Sequence, residues 1–153
     1  MLLARHAAAV GLRARIRLYP GGGPLRDAGQ VALIRRFRER VGNPGRWAFE
    51  VPIPLANDQR ALDAVLTVAG GRIGLEFYVR LADCQAQLRA ANLKQRDAGL
   101  DRMVIVVKAT HANRRALGEA ASAIADAFPG TTRRLLAALA AGEVPPANGV
   151  ILF

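Results

Sequence analysis

Asp63 and Glu76 are the residues whose type and spacing best suit chemistry in this chain. They stand on two apolar-alternating stretches joined by Ala69-Gly70-Gly71-Arg72, a hairpin signature. Side chains alternate across a strand. Gly74, Glu76, Tyr78 and Arg80 therefore share one face of the later strand, and Ile73, Leu75, Phe77 and Val79 the other. The short turn brings Asp63 beside Glu76 or Tyr78. Two carboxylates converging from neighbouring strands make a hard-oxygen site suited to Mg²⁺ or Mn²⁺. A cation held there can polarise a phosphodiester and activate water. The structural alternative is a pair of ordinary polar residues on a solvent-facing hairpin.

The elements that must hold this pair are legible in the apolar spacing. Met1–Val10 reads as a short helix and Arg13–Tyr19 as an alternating strand, followed by the break Pro20-Gly21-Gly22-Gly23-Pro24. Residues 1–24 read as an appendage, and residues 25–153 as the main domain. Asp27–Val41 reads as a helix with a buried stripe of Val31, Ile34, Phe37 and Val41, Asp27 as its cap, and Gln30 three residues on. Trp47–Pro54 alternates, and its two prolines make it an edge strand with Trp47, Phe49, Val51 and Ile53 on one side. Strands follow at Leu62–Val68 and Ile73–Leu81, then a helix at Asp83–Asp97. Arg102–Thr110 is apolar on both faces, as a central covered strand should be. Helices at Asn113–Phe128 and Thr132–Ala141 and a strand at Gly149–Phe153 complete the order. The fold class is α/β, three-layer α/β/α with a mixed five-stranded sheet.

The order α-β-β-β-α-β, with Asp63 on the second strand and Glu76-Phe77-Tyr78 on the third, resembles the PD-(D/E)XK nuclease superfamily, which has the restriction-endonuclease-like fold. The resemblance covers residues 27–128. It implies that Asp63 and Glu76 are the motif's two acids and hold Mg²⁺ or Mn²⁺, and that Glu39 or Glu50 joins them. Tyr78 stands where the motif has its lysine. Some members supply that lysine from the following helix, which points to Lys94, one of only two lysines in the chain. Gln87 lies two helical turns earlier on the same face, and exonuclease-like members carry a glutamine in this region. Arg80, on the Glu76 face, is a second candidate cation. Each role has a plainer rival: an ion pair with Arg35 or Arg36 for Glu39, simple exposure for Glu50, a solvated helix position for Lys94.

A narrower resemblance rests on Arg17-Leu18-Tyr19-Pro20-Gly21-Gly22, Glu50-Val51-Pro52-Ile53-Pro54, Asp58-Gln59-Arg60-Ala61-Leu62-Asp63, Leu93-Lys94-Gln95-Arg96-Asp97 and Asn113-Arg114-Arg115. These are similar to a domain that follows a Cro/repressor-type helix-turn-helix in actinobacterial proteins. Residues 1–12 look only like the last helix of such a unit. That implies a regulator or defence protein acting on DNA, with a helix-turn-helix protein as a partner.

Composition narrows the partners. The formal charge of +10 favours polyanions, nucleic acid first. Arg80, Arg89 and Arg96 are the expected phosphate contacts. Nearly all the basic residues are arginine, a pattern that GC-rich coding also produces. Aromatic residues are 5% of the chain, too few for a base-stacking platform. One cysteine, Cys84, excludes an internal disulfide and reads as core filler. With only His6 and His111 beside it, no zinc site of the usual kind can form. His111 reads as a loop residue. No Ser-His or Cys-His arrangement or phosphate-binding loop is evident. No apolar run reaches transmembrane length and no leader is evident, so the expected compartment is the cytoplasm. The leading expectation is thus a DNA-binding hydrolase with a divalent-metal site. The second is a catalytically inactive module of the same fold, serving as the effector or homodimerising half of a split regulator.

Overall fold

The computed structural model describes residues 28–153. The expected helix at Met1–Val10, the strand at Arg13–Tyr19, the Gly/Pro break and the Asp27 cap lie outside the described residues.

Helix α1 (Ala28–Val41) buries Leu33, Ile34, Phe37 and Val41. Val31 was expected in that stripe but is half exposed, at 51%. Counting back from Phe37 by three and four residues reaches Ile34 and Leu33, whereas six residues turn Val31 off the face. Gly42 ends the helix in the left-handed region, at φ 81°.

Strands β1 (Arg46–Pro52), β2 (Ala61–Val68) and β3 (Gly71–Tyr78) form an antiparallel meander. The β2–β3 turn is just Ala69-Gly70, since Val68 already pairs with Gly71. Helix α2 (Cys84–Asp97) is capped by Asp83, whose carboxylate accepts from the Ala86 N–H. It crosses to β4 (Arg102–Val107), which pairs parallel with β3. Helices α3 (His111–Glu119), α4 (Ala121–Ala127) and α5 (Thr132–Ala141) then lead to β5 (Gly149–Leu152), parallel to β4. The sheet order is β1-β2-β3-β4-β5. This is the expected α/β class with a mixed five-stranded sheet.

Two apolar clusters cover the two sheet faces. One joins α1 and α5 to Ala64, Leu66, Ile73, Leu75, Phe77, Val104, Val106 and Ile151. Phe37 lies edge-on to Phe77 and Phe153, with ring centroids 5.5 and 5.4 Å away. The other joins Leu88 and Ala91 of α2 to Leu62, Val65, Met103, Ile105, Val107 and Phe128. Residues of β4 divide between the clusters by parity, which is why its sequence is apolar throughout. Cys84 packs against the second cluster, as expected of core filler.

Three further expectations need correction. The single helix over 113–128 is two helices, broken at Ala120, whose ψ of 12° departs from the helical value. His111 is not a loop residue; it is the first residue of α3, exposed, behind the Thr110 cap. The third correction concerns β1, where Trp47 and Phe49 pack on the first cluster but Val51 on the second, with Ile53 beyond the strand following it. Parity alone would keep all four together. Glu50 lies between them with φ 51°, and this left-handed residue turns the strand over.

Asn113, 1% exposed, fastens the end of the sheet that carries the acids. Its amide donates to the Val79 and Lys108 carbonyls at 2.9 and 2.8 Å, and its oxygen accepts from the Leu81 N–H at 3.0 Å. Asn113→Ala should therefore lower unfolding free energy by about 3 kcal/mol in urea titration. Asn113→Asp should be no better, because a carboxylate has nothing to donate to two carbonyls.

Candidate functional site

The β2–β3 ladder ends at Ala64↔Leu75, while β3 stays paired with β4 through Glu76↔Ile105, Phe77↔Val106 and Tyr78↔Val107. The two strands thus part where Asp63 and Glu76 stand. The fork is held open by side chains. Oδ2 of Asp63 accepts the Phe77 N–H at 2.8 Å and Nε2 of Gln30 at 3.0 Å. The same Gln30 nitrogen donates to the Phe77 carbonyl at 3.1 Å. The Asp63 N–H points at Oε1 of Glu76 at 3.4 Å, a long contact.

Glu76 is 3% exposed. It lies on the opposite face from Leu75 and Phe77, towards α2, as alternation predicts. From α2 the Lys94 ammonium reaches Oε2 of Glu76 at 2.8 Å. The rival reading of Lys94 as a solvated helix residue is thereby overturned: its side chain is 17% exposed. Burial pushes the Glu76 carboxyl up to about 7 and the Asp63 charge adds to this, while Lys94 opposes both. Tyr78 is pushed above its ordinary value, chiefly by burial and then by the charges of Glu76 and Asp63. Its phenol therefore stays neutral and cannot replace a lysine as a positive charge.

The remaining candidates divide. Gln87 shares α2 with Lys94, and its Oε1 is buried without a hydrogen-bond partner among the described residues. Glu50 is exposed on the inverted residue of β1. Glu39 lies 3.9 Å from Arg35 on the outer face of α1, the surface ion pair that its spacing suggested. Among the described residues no three acidic, histidine or cysteine side chains gather as a metal-binding group. Arg80, Arg89 and Arg96 are exposed, and Arg96 also pairs with Asp97 at 2.8 Å. On α1, Arg36 lies over the Phe153 ring, and Arg38 over both Trp47 and Phe49.

Two features were not foreseen. Gln30 had seemed a capping partner because of its distance from Asp27, and nothing local in the sequence couples it to a residue 33 positions away. The other is a latch of charges. Arg60 pairs with Asp58 at 2.6 Å and with Asp97 at 2.5 Å, tying the β1–β2 connection to the end of α2. Arg60 holds both carboxyls below their ordinary values, first through its hydrogen bonds.

In donor chemistry the site fits a hard divalent cation. Mg²⁺ is commonly held by one or two carboxylates, with water and phosphate oxygens completing its shell. Asp63 and Glu76 would be the protein's ligands, and Lys94 already shows that Glu76 accepts a positive charge.

A carboxyl raised in the folded state binds its proton more tightly there than in the unfolded chain. Its contribution is therefore fully present below its ordinary pKa and is lost as pH rises through about 7. Relative to wild type, Glu76→Gln should gain about 2 kcal/mol of stability between pH 5 and pH 8. Urea titrations of both proteins across that range test this; parallel pH profiles would refute the shifted carboxyl.

Comparison of the chain with protein-family models, with curated proteins and with solved structures finds no match, so the site is read from its own geometry.

Proposed function

We propose that this chain binds DNA through a restriction-endonuclease-like domain and hydrolyses its phosphodiester bonds at Asp63 and Glu76 with Mg²⁺ or Mn²⁺. The observation that carries this reading is the Glu76 carboxylate where β2 and β3 part, with the Lys94 ammonium on one oxygen, the Asp63 N–H facing the other, and the Asp63 carboxylate held in the same fork by the Phe77 N–H. The sheet supports it, with an antiparallel trio followed by a helix crossover into a parallel central strand.

The bound cation would polarise the phosphodiester and make water a stronger nucleophile at neutral pH. Asp63 is held for that task by Gln30 and the Phe77 N–H, which fix its carboxylate in the fork. Glu76 sits in a poorly hydrated position where its charge acts strongly. Lys94 supplies the cation that Tyr78 cannot, and would balance the charge that builds on the phosphate oxygens. In the hydrolysis the oxygen of water would bond to phosphorus as one P–O ester bond breaks, and the proton given up by the water would end on the leaving oxygen. The exposed Arg80, Arg89 and Arg96 would hold backbone phosphates, so binding should weaken steeply as salt rises.

One observation favours a second reading. The absence of a three-acid group among the described residues suits a domain of the same shape that binds without cutting.

Nicking of supercoiled plasmid separates the two readings. Wild type should nick with Mg²⁺ or Mn²⁺ and not with chelator. Asp63→Ala and Glu76→Ala should each slow the reaction by at least about 10²-fold while retaining salt-sensitive DNA binding. Nicking that persists in both variants refutes the site. Binding without nicking under either metal establishes the second reading.

A further inference from the structure

We propose that the Lys94 ammonium is a built-in counter-ion which a divalent cation must displace from Glu76, and that the displaced ammonium then serves the bound phosphodiester. This inference rests on the metal site proposed above and describes how that site is regulated.

The geometry argues for competition. Lys94 sits on Oε2 of Glu76, while the Asp63 N–H faces Oε1. One carboxylate oxygen is thus turned to the neighbouring strand and the other is covered by a positive charge. Like charges repel most where water is scarce, and the two side chains are only 17% and 4% exposed. A divalent cation and the ammonium therefore cannot both rest on Oε2. Displacement does not require the fold to open. Lys94 lies in the last turn of α2 on a flexible four-carbon stem, and its head is a compact charge with no fixed fork geometry. The residue choice agrees with this. The chain uses arginine almost everywhere else, and lysine only here and at Lys108. A guanidinium clamped on both carboxylate oxygens would be far harder to dislodge.

Two consequences separate this device from a fixed structural ion pair. The apo site is partly neutralised, so metal binds more weakly than two carboxylates alone would allow. Metal and nucleic acid also assist each other, because the cation frees the ammonium that a phosphate can use. By linkage the assistance is mutual.

Having two lysines makes the test direct in the wild-type protein. Lys108 is exposed and serves as the internal reference. Competitive labelling with an amine-reactive acetylating reagent, read by mass spectrometry, should show Lys94 reacting more slowly than Lys108 in chelator. Saturating Mn²⁺ should raise the Lys94 rate several-fold and leave Lys108 unchanged. Mn²⁺ binding itself is followed by electron paramagnetic resonance. Lys94→Met should tighten Mn²⁺ binding by at least about tenfold, the strength of one competing charge-assisted hydrogen bond. If Mn²⁺ binds but Lys94 stays protected, the displacement is refuted while the metal site stands. Unchanged or weaker binding in a folded Lys94→Met protein refutes it equally. If wild type binds no Mn²⁺, the metal site falls and this inference falls with it.

Discussion

A carboxylate removed from water must find a positive charge or a proton, and Glu76 is the place where this chain meets that demand. Its neighbours Leu75 and Phe77 face the first cluster, and alternation turns Glu76 to the other face, which α2 covers. Lys94 arrives from α2 to balance it. The pairing ties the helix crossover to the strand it follows, while burial still leaves the carboxyl more willing than usual to hold a proton. Removing either partner alone would strand a buried charge, which costs far more than the intact pair contributes. The position of α2 over the sheet and the chemistry of the site therefore have a common origin.

The fork beside Glu76 is built with equal economy of parts. β3 leaves β2 after Leu75 but stays paired to β4 through Tyr78. The opening would leave backbone groups unmet, and side chains meet them. The Asp63 carboxylate takes the Phe77 N–H, and Gln30 takes the Phe77 carbonyl. Asn113 does the same just beyond the end of β3, for Val79 and Leu81. Asp63 is thus both a structural plug and the acid proposed to hold metal. Its Oδ2 is held by the Phe77 N–H and by the Gln30 amide together.

Much of this was legible in the chain. The hairpin, the facing of Glu76 and the interior position of β4 follow from period-two patterning and its breaks, which depend on neighbours in sequence; the turn itself is tighter than the four residues 69–72 suggested. Placing Asp63 near Glu76 needed only a hairpin. The places where the reading failed depend on something further away or on one unusual torsion. Val31 falls off the stripe because six residues separate it from Phe37, whereas Leu33 and Ile34 lie four and three residues away on the buried face. The inversion at Glu50 requires a positive φ that a glutamate gives no cause to expect. Gln30 needs the tertiary fold, since its partners lie on β2 and β3. Lys94 could be named because the resemblance implies a lysine from the helix after β3, but its contact with Glu76 depends on how α2 lies on the sheet.

The latch at Arg60 adds a mechanical consequence. Asp97 is three residues from Lys94 on the same helix, and Arg60 ties it to the loop that leads into β2 and Asp63. The two walls that bear the proton-holding glutamate's partner and the fork aspartate are therefore buckled together at the rim. Because the Arg60 side chain is 38% exposed, dissolved ions can loosen that buckle. Ionic strength thereby reaches the fork through the stiffness of its own frame.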